Sequence, residues 1–139
     1  MQNASYSAEA YKKQQILTAS PEMLTLMLYN GAIKFINEGI KFVKEKDCLK
    51  SNKALIRAQD ILIEFMATLD MQYDIAKQLY PLYNYVYRIL IEGNMKNDVN
   101  KLEEAKGIML ELRDTWSQAM KKAQQEKNTV SVTAGAING

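Results

Sequence analysis

Residues 20–46 read SPEMLTLMLYNGAIKFINEGIKFVKEK. The hydroxyl of Ser20 can accept from the free N–H groups of a first helical turn. Pro21 fits the first helical position, where the donor it lacks would be unpaired anyway, and Glu22 suits the positive end of the helix dipole. The stretch therefore predicts one long helix from about 21 to 45. Inside it Leu24, Leu28, Phe35 and Phe42 form one stripe, and Leu26, Tyr29, Ile33, Ile36, Ile40 and Val43 a second beside it, so the helix is expected to be buried over much of its circumference. Asn30-Gly31 would elsewhere suggest a turn, but the apolar spacing runs on through the pair, which is taken as helix.

The same spacing recurs three times downstream. Leu55, Ala58, Leu62, Phe65 and Leu69 predict a helix over about 51–70; Ile75, Leu79, Leu82, Val86 and Leu90 one over about 74–94; Leu102, Ala105, Met109, Leu112 and Trp116 one over about 98–124. The linking stretches KEKDCLKS, DMQYD and NMKND are short and polar, which forces consecutive helices to run antiparallel. The expected fold is all-α: an up-and-down antiparallel four-helix bundle over 20–125, with an N-terminal arm over 1–19 and a frayed C-terminal tail over 126–139, where the chain ends in TVSVTAGAING. Pro81 deletes a donor and crowds the carbonyl four residues back, so a kink or break is expected near 77–81. Gly31, Gly39, Gly93 and Gly107 are isolated within helical patterns and read as close packing or mild weakening, not as a phosphate loop.

Composition narrows the function. With 139 residues, 18 Lys and Arg against 16 Asp and Glu, and a net charge of +2, the chain supports one domain and shows no basic stripe of the kind nucleic acid requires. It has no apolar run near the length of a membrane span and no basic-then-apolar leader pattern, so a cytoplasmic location without membrane insertion is expected. The single cysteine, Cys48, has no internal partner and reads as incidental. Histidine is absent, which removes Ser-His and Cys-His nucleophile pairs, the usual zinc and haem ligands, and the Glu-x-x-His pairs of di-iron bundles. Glu103 and Glu104 diverge by about 100° on a helix and read as a solvated face. No catalytic residue, metal or cofactor is expected. A helical enzyme of the chorismate-mutase-like type would need buried cations around an anionic substrate, whereas Arg88 lies roughly opposite the core stripe of its helix.

What remains is surplus apolar surface. YPLYNYVY (80–87) carries four tyrosines, and a tyrosine ring with its polar tip suits edges and interfaces. Tyr80, Tyr83 and Tyr87 lie beside the stripe of their helix, with Ile91 on the same flank, giving an apolar arc roughly 200° wide where a single-core helix needs little over 100°. Tyr85 points elsewhere and is expected to be exposed. On the helix over 51–70, Ile56 and Ile63 lie roughly 130 to 150° from the core direction, with Ala67 continuing the row and Met66 at its edge. These residues read as a protein-binding groove between the two helices, with methionine supplying an adaptable lining.

The chain also resembles a known family. AYKKQQILTASPEMLTLMLYNGAIKFI (10–36) is similar to the N-terminal signature of the FliS flagellar secretion chaperones: A-Y, polar residues, a hydrophobic pair, T-x-S-P-E-x-L, then L-Y-D/N-G-A. RAQDILIEFMATLDM (57–71), LYPLYNYVYRILIEGNMKND (79–98) and LRDTW (112–116) resemble the later blocks in order and spacing, from Ala10 to Trp116 in all. Asn30 stands where aspartate is frequent, Gly93 where alanine is, and a glycine pair often found after the LD block is missing at 71–74. The resemblance implies a four-helix cytosolic chaperone that binds the disordered C-terminal segment of flagellin, prevents its premature polymerisation and presents it to the export gate protein FlhA. A monomer binding its client one-to-one is the accompanying expectation.

Tyr11 matches the tyrosine of that A-Y motif. With Ile16 and Leu17 it would anchor the arm over the apolar groove when no client is bound, to be displaced on binding. The alternative is an all-helical adaptor or dimerisation module that uses the same flank for another folded protein or a second copy of itself.

Overall fold

Ser20 opens the first core helix as its sequence requires: Oγ accepts from the backbone N–H of Met23 at 3.2 Å. The structure, a computed structural model, describes the backbone of residues 2–138 and the side chains of 7–129. Five helices follow in order, α1 (Gln2–Thr18), α2 (Pro21–Lys44), α3 (Cys48–Thr68), α4 (Asp74–Lys96) and α5 (Val99–Asn138), with no strand among the described residues. Asp47 caps α3 through the N–H of Lys50, which starts that helix three residues earlier than its apolar spacing alone suggests and makes Cys48 a helical residue. Asn97 closes α4 at φ 52°, a left-handed conformation asparagine tolerates well, and Asp98 accepts from the N–H groups of Asn100 and Lys101 to open α5.

α2 packs on α3 and α5, and α4 packs on the same two. Side-chain bonds give the directions. Asn94 near the end of α4 meets Asn52 near the start of α3, Lys101 early in α5 pairs with Glu92 late in α4 at 2.8 Å, and Trp116 Nε1 donates to the carbonyl of Glu22 at 3.0 Å. The core between these four helices holds Ile36, Leu55, Leu62, Val86, Leu90, Leu102 and Met109, all with no exposed surface. Two glycines bring backbones close. A Cβ at Gly93 would stand 2.6 Å from Leu102 Cδ2, and one at Gly39 would stand 2.6 Å from Leu55 Cγ, so the facing leucines occupy the space a side chain would need. Gly107 faces nothing.

Several expectations change. The C-terminal segment expected to fray continues α5 to Asn138, and the N-terminal arm, to which sequence reading assigns no conformation, is helical over 2–18. α4 runs without interruption through Pro81, which lies on the exposed side where water can serve the carbonyl of Lys77 that loses its donor. The buried face of α4 is also rotated from the expected stripe: Ala76, Tyr83, Val86, Ile89, Leu90 and Gly93 are buried, Leu79 and Leu82 are half-buried, and Ile75 is exposed.

Candidate protein-binding surface

Tyr83 explains the rotation of α4. Its hydroxyl lies 2.5 Å from that of Tyr29 on α2, and the ring of Phe65 on α3 stacks on both tyrosines with centroids 5.0 and 4.6 Å away. Each hydroxyl is the other's partner, which removes the usual objection to burying a phenol. Burial pushes both phenols above their ordinary titration range. Tyr83, read from sequence as part of a binding flank, is therefore a core residue only 2% exposed.

Helical register sets the remaining predicted residues of α3 and α4 along one seam. The Asn94–Asn52 bond, 2.8 Å from Nδ2 to Oδ1, sets the register of the α3–α4 seam. One heptad from that pair along each helix stand Gln59 and Tyr87, and two heptads away Met66 and Tyr80. By helical geometry Ile63 falls on the outer edge of α3 toward α4 and Ile91 on the matching edge of α4, while Ile56, one heptad before Ile63, also lines a groove with Phe42 of α2. Ile56, Ile63 and Tyr80 are 43%, 46% and 41% exposed, Met66 and Tyr87 pack partly against the core, and Ile91 is half-buried. The result is a discontinuous apolar row along one seam. Tyr85 leaves it altogether: its hydroxyl donates to Glu104 across the α4–α5 surface.

The arm sits elsewhere. Lys12 and Ile16, one turn apart on α1, line a cleft of about 660 Å³ whose other walls include Leu24, Leu28 and Phe35 of α2 and Ile61 of α3. This cleft lies on the α2 side of α3, away from the seam the sequence reading placed under the arm. Of the three expected anchors only Ile16 engages it. Tyr11 is 64% exposed and bonds only within α1, to Gln15, and Leu17 is 83% exposed. An extended arm could use all three, but helical geometry turns Leu17 about 100° and Tyr11 about 140° from the face that Ile16 presents.

Sequence reading missed the cleft because it took Leu24, Leu28 and Phe35 as part of the core. The available signal was the breadth of the apolar arc on α2, which exceeds what one core uses. Gly31 helps to open the cleft, since a Cβ there would meet Ile61 Cδ1 at 3.3 Å. Among the described residues no three His, Cys, Asp or Glu side chains converge as a metal site would need, and no helix is long and apolar enough to cross a membrane.

A surface of this kind, apolar and split along a helical domain, suits polypeptide binding. The family model described as "Flagellar protein FliS" matches residues 1–123. The chain belongs to the FliS family. It is 36% identical over 119 residues to the flagellar secretion chaperone FliS of Bacillus subtilis, covering 86% of this chain and 90% of that one. It is 32% identical over 118 residues to the Vibrio cholerae FliS, covering 81% and 87%, and 29% identical over 124 residues to the Salmonella typhimurium FliS, covering 87% and 92%. Chaperone activity in flagellar secretion is thus the family's function, and the match takes in α1 to α4 and most of α5, so both apolar surfaces lie within the part shared with the other FliS proteins.

Proposed function

We propose that this chain is a cytosolic export chaperone for flagellin: it captures the disordered C-terminal segment of the filament subunit, prevents premature polymerisation, and hands the subunit to the flagellar type III export apparatus through FlhA. The observation that carries the reading is the pair of apolar surfaces flanking α3, one along the seam with α4 and one beneath α1, on a chain of the FliS family. α2 to α5 are read as an up-and-down antiparallel four-helix bundle, which the pairing of α2 and α4 with both α3 and α5 supports. Residues 20–125 are the bundle; α1 and the end of α5 are appendages to it.

A disordered client loses conformational freedom on binding, so a long apolar contact yields only moderate affinity, which suits a chaperone that must release its cargo. Ile56, Ile63, Met66, Tyr80, Tyr87 and Ile91 form the seam site. α1 occupies the cleft and yields it to a further stretch of the same client, so the binding-competent state is only part of the free population. The test is calorimetric titration of the protein with a peptide of the C-terminal ~40 residues of its own organism's flagellin, where one-to-one binding with a negative heat-capacity change is expected. A folded protein that fails to bind the peptide would sink the reading.

A further inference from the structure

Between the two apolar surfaces, sharing Phe35 with the cleft and Ile56 with the seam, the outer face of α2 and α3 carries an arrangement of cations and aromatic rings. Lys41 and Lys50 stand over the ring of Phe42 at 5.3 and 5.5 Å, and Lys34 and Arg57 over the ring of Phe35 at 5.7 and 5.5 Å. Phe42, Lys50, Lys53, Ala54, Ile56 and Arg57 line an open groove, and the one carboxylate among its lining residues is Glu38. Lys50 has Asp47 at 3.8 Å; among the described residues Lys34, Lys41, Lys53 and Arg57 pair with no carboxylate. On the opposite side of the molecule, by contrast, Lys101 and Lys106 each have a glutamate partner. Two rings one heptad apart on α2, edged by cations of which, among the described residues, only Lys50 has a carboxylate partner, offer apolar contact in the middle and positive charge at the rim.

We infer that this groove is a docking site for a short acidic, amphipathic segment of another protein. Charge complementarity selects the occupant: carboxylates would meet Lys50, Lys53 and Arg57 while apolar side chains cover Phe42. Helix spacing fits, since the two phenylalanines are about 10 Å apart along α2 and a helical segment of about 14 residues would span both with their flanking cations. A single strand of nucleic acid could also stack a base on Phe42, but the net charge of only +2 favours the peptide, and an oligothymidylate competitor separates the two.

Cys48, the single cysteine, is exposed two residues from Lys50 and accepts an environment-sensitive fluorophore without further change to the chain. The probe is a synthetic peptide of about 14 residues with leucines at i, i+3, i+4 and i+7 and glutamates elsewhere. Saturable binding at low salt is expected, weakening as salt rises, and the peptide with lysine in place of glutamate should not bind. Lys53→Gln with Arg57→Gln should weaken binding by about tenfold, and Phe42→Ala should weaken it at high salt too. Circular dichroism of each variant establishes that it is folded, and the conservative Gln pair keeps the test informative if Phe42→Ala unfolds. Equal affinity for the glutamate and lysine peptides, binding unchanged in the folded Gln pair, or displacement of the peptide by an oligothymidylate strand at lower concentration than by unlabelled peptide would each overturn the proposal.

Discussion

Replacing Tyr83 by phenylalanine tests whether the first tyrosine-rich reading or the observed core is correct. The substitution keeps the ring stacked on Phe65 and removes one oxygen, which leaves the Tyr29 hydroxyl in a site 3% exposed with its partner gone. A buried, unsatisfied polar group costs about 1–3 kcal/mol, a large share of the roughly 5–15 kcal/mol that stabilises a domain. Tyr29→Phe should cost a similar amount. The double replacement removes both polar groups together and should cost much less than the sum, so the cycle should show a coupling of about 1–2 kcal/mol. Urea unfolding followed by circular dichroism measures all four proteins. Alkali adds an independent readout. Both phenols titrate above the ordinary value of 10.0, chiefly because burial disfavours the phenolate, so the folded state holds these protons more tightly than the unfolded chain. Their contribution is intact below pH 10 and is lost as pH rises above it toward the folded values; the double variant should lack that part of the alkaline decline. Strictly additive costs, or single variants as stable as the parent but weaker in binding flagellin peptide, would refute the core assignment.

Ile56→Asp with Ile63→Asp alters two side chains that are 43% and 46% exposed, so the fold should survive while affinity for the flagellin peptide falls by about thirtyfold, roughly 2 kcal/mol of lost apolar burial in calorimetry. Gly93→Ala should destabilise by about 1–3 kcal/mol because Leu102 fills the space, whereas Gly107→Ala, which meets nothing, should stabilise by about 0.5–1 kcal/mol in the same urea assay. Removing residues 2–17 should raise affinity for the client peptide by about threefold or more and speed hydrogen exchange around Leu24 and Leu28; unchanged values for both would dissociate the arm from the cleft.

The helices were legible because each rests on local rules. The Ser20-Pro21 start reproduces in the structure to the residue, and the stripe Leu55, Ala58, Leu62 is fully buried. What local rules cannot supply is which part of a broad apolar arc faces inward. On α4 the choice fell to Tyr83 over Leu79 and Leu82 because of a hydroxyl partner contributed by a helix fifty-four residues away. On α2 the stripe of Leu24, Leu28 and Phe35 looked like core because periodicity records polarity and says nothing of what lies opposite. The arm differs in another way: its three apolar residues read as anchors with no conformation assigned, and in a helix Ile16 faces the cleft while Tyr11 and Leu17 turn away from it.

That correction bears on the choice between a chaperone and a dimerisation module. With the arm on the α2 side of α3 and the isoleucine row on the α4 side, the apolar surface is divided by the outer face of one helix, whose diameter is about 10 Å with side chains. Between the two regions stand Lys53, Arg57 and Asp60, all exposed and charged. A folded partner or second copy pressing on the seam would bury the row and leave the cleft to α1, or would have to desolvate those charges to reach both. An unfolded chain has no such constraint: it can lay one apolar stretch in the seam, cross the charged ridge with a polar linker that stays in water, and place another in the cleft once α1 has left. The geometry thus favours a client that is long and disordered, and it makes two-region occupancy the discriminating property. A client peptide cut to fill the seam alone should bind with the same affinity whether or not residues 2–17 are present, while the longer peptide should gain from their removal.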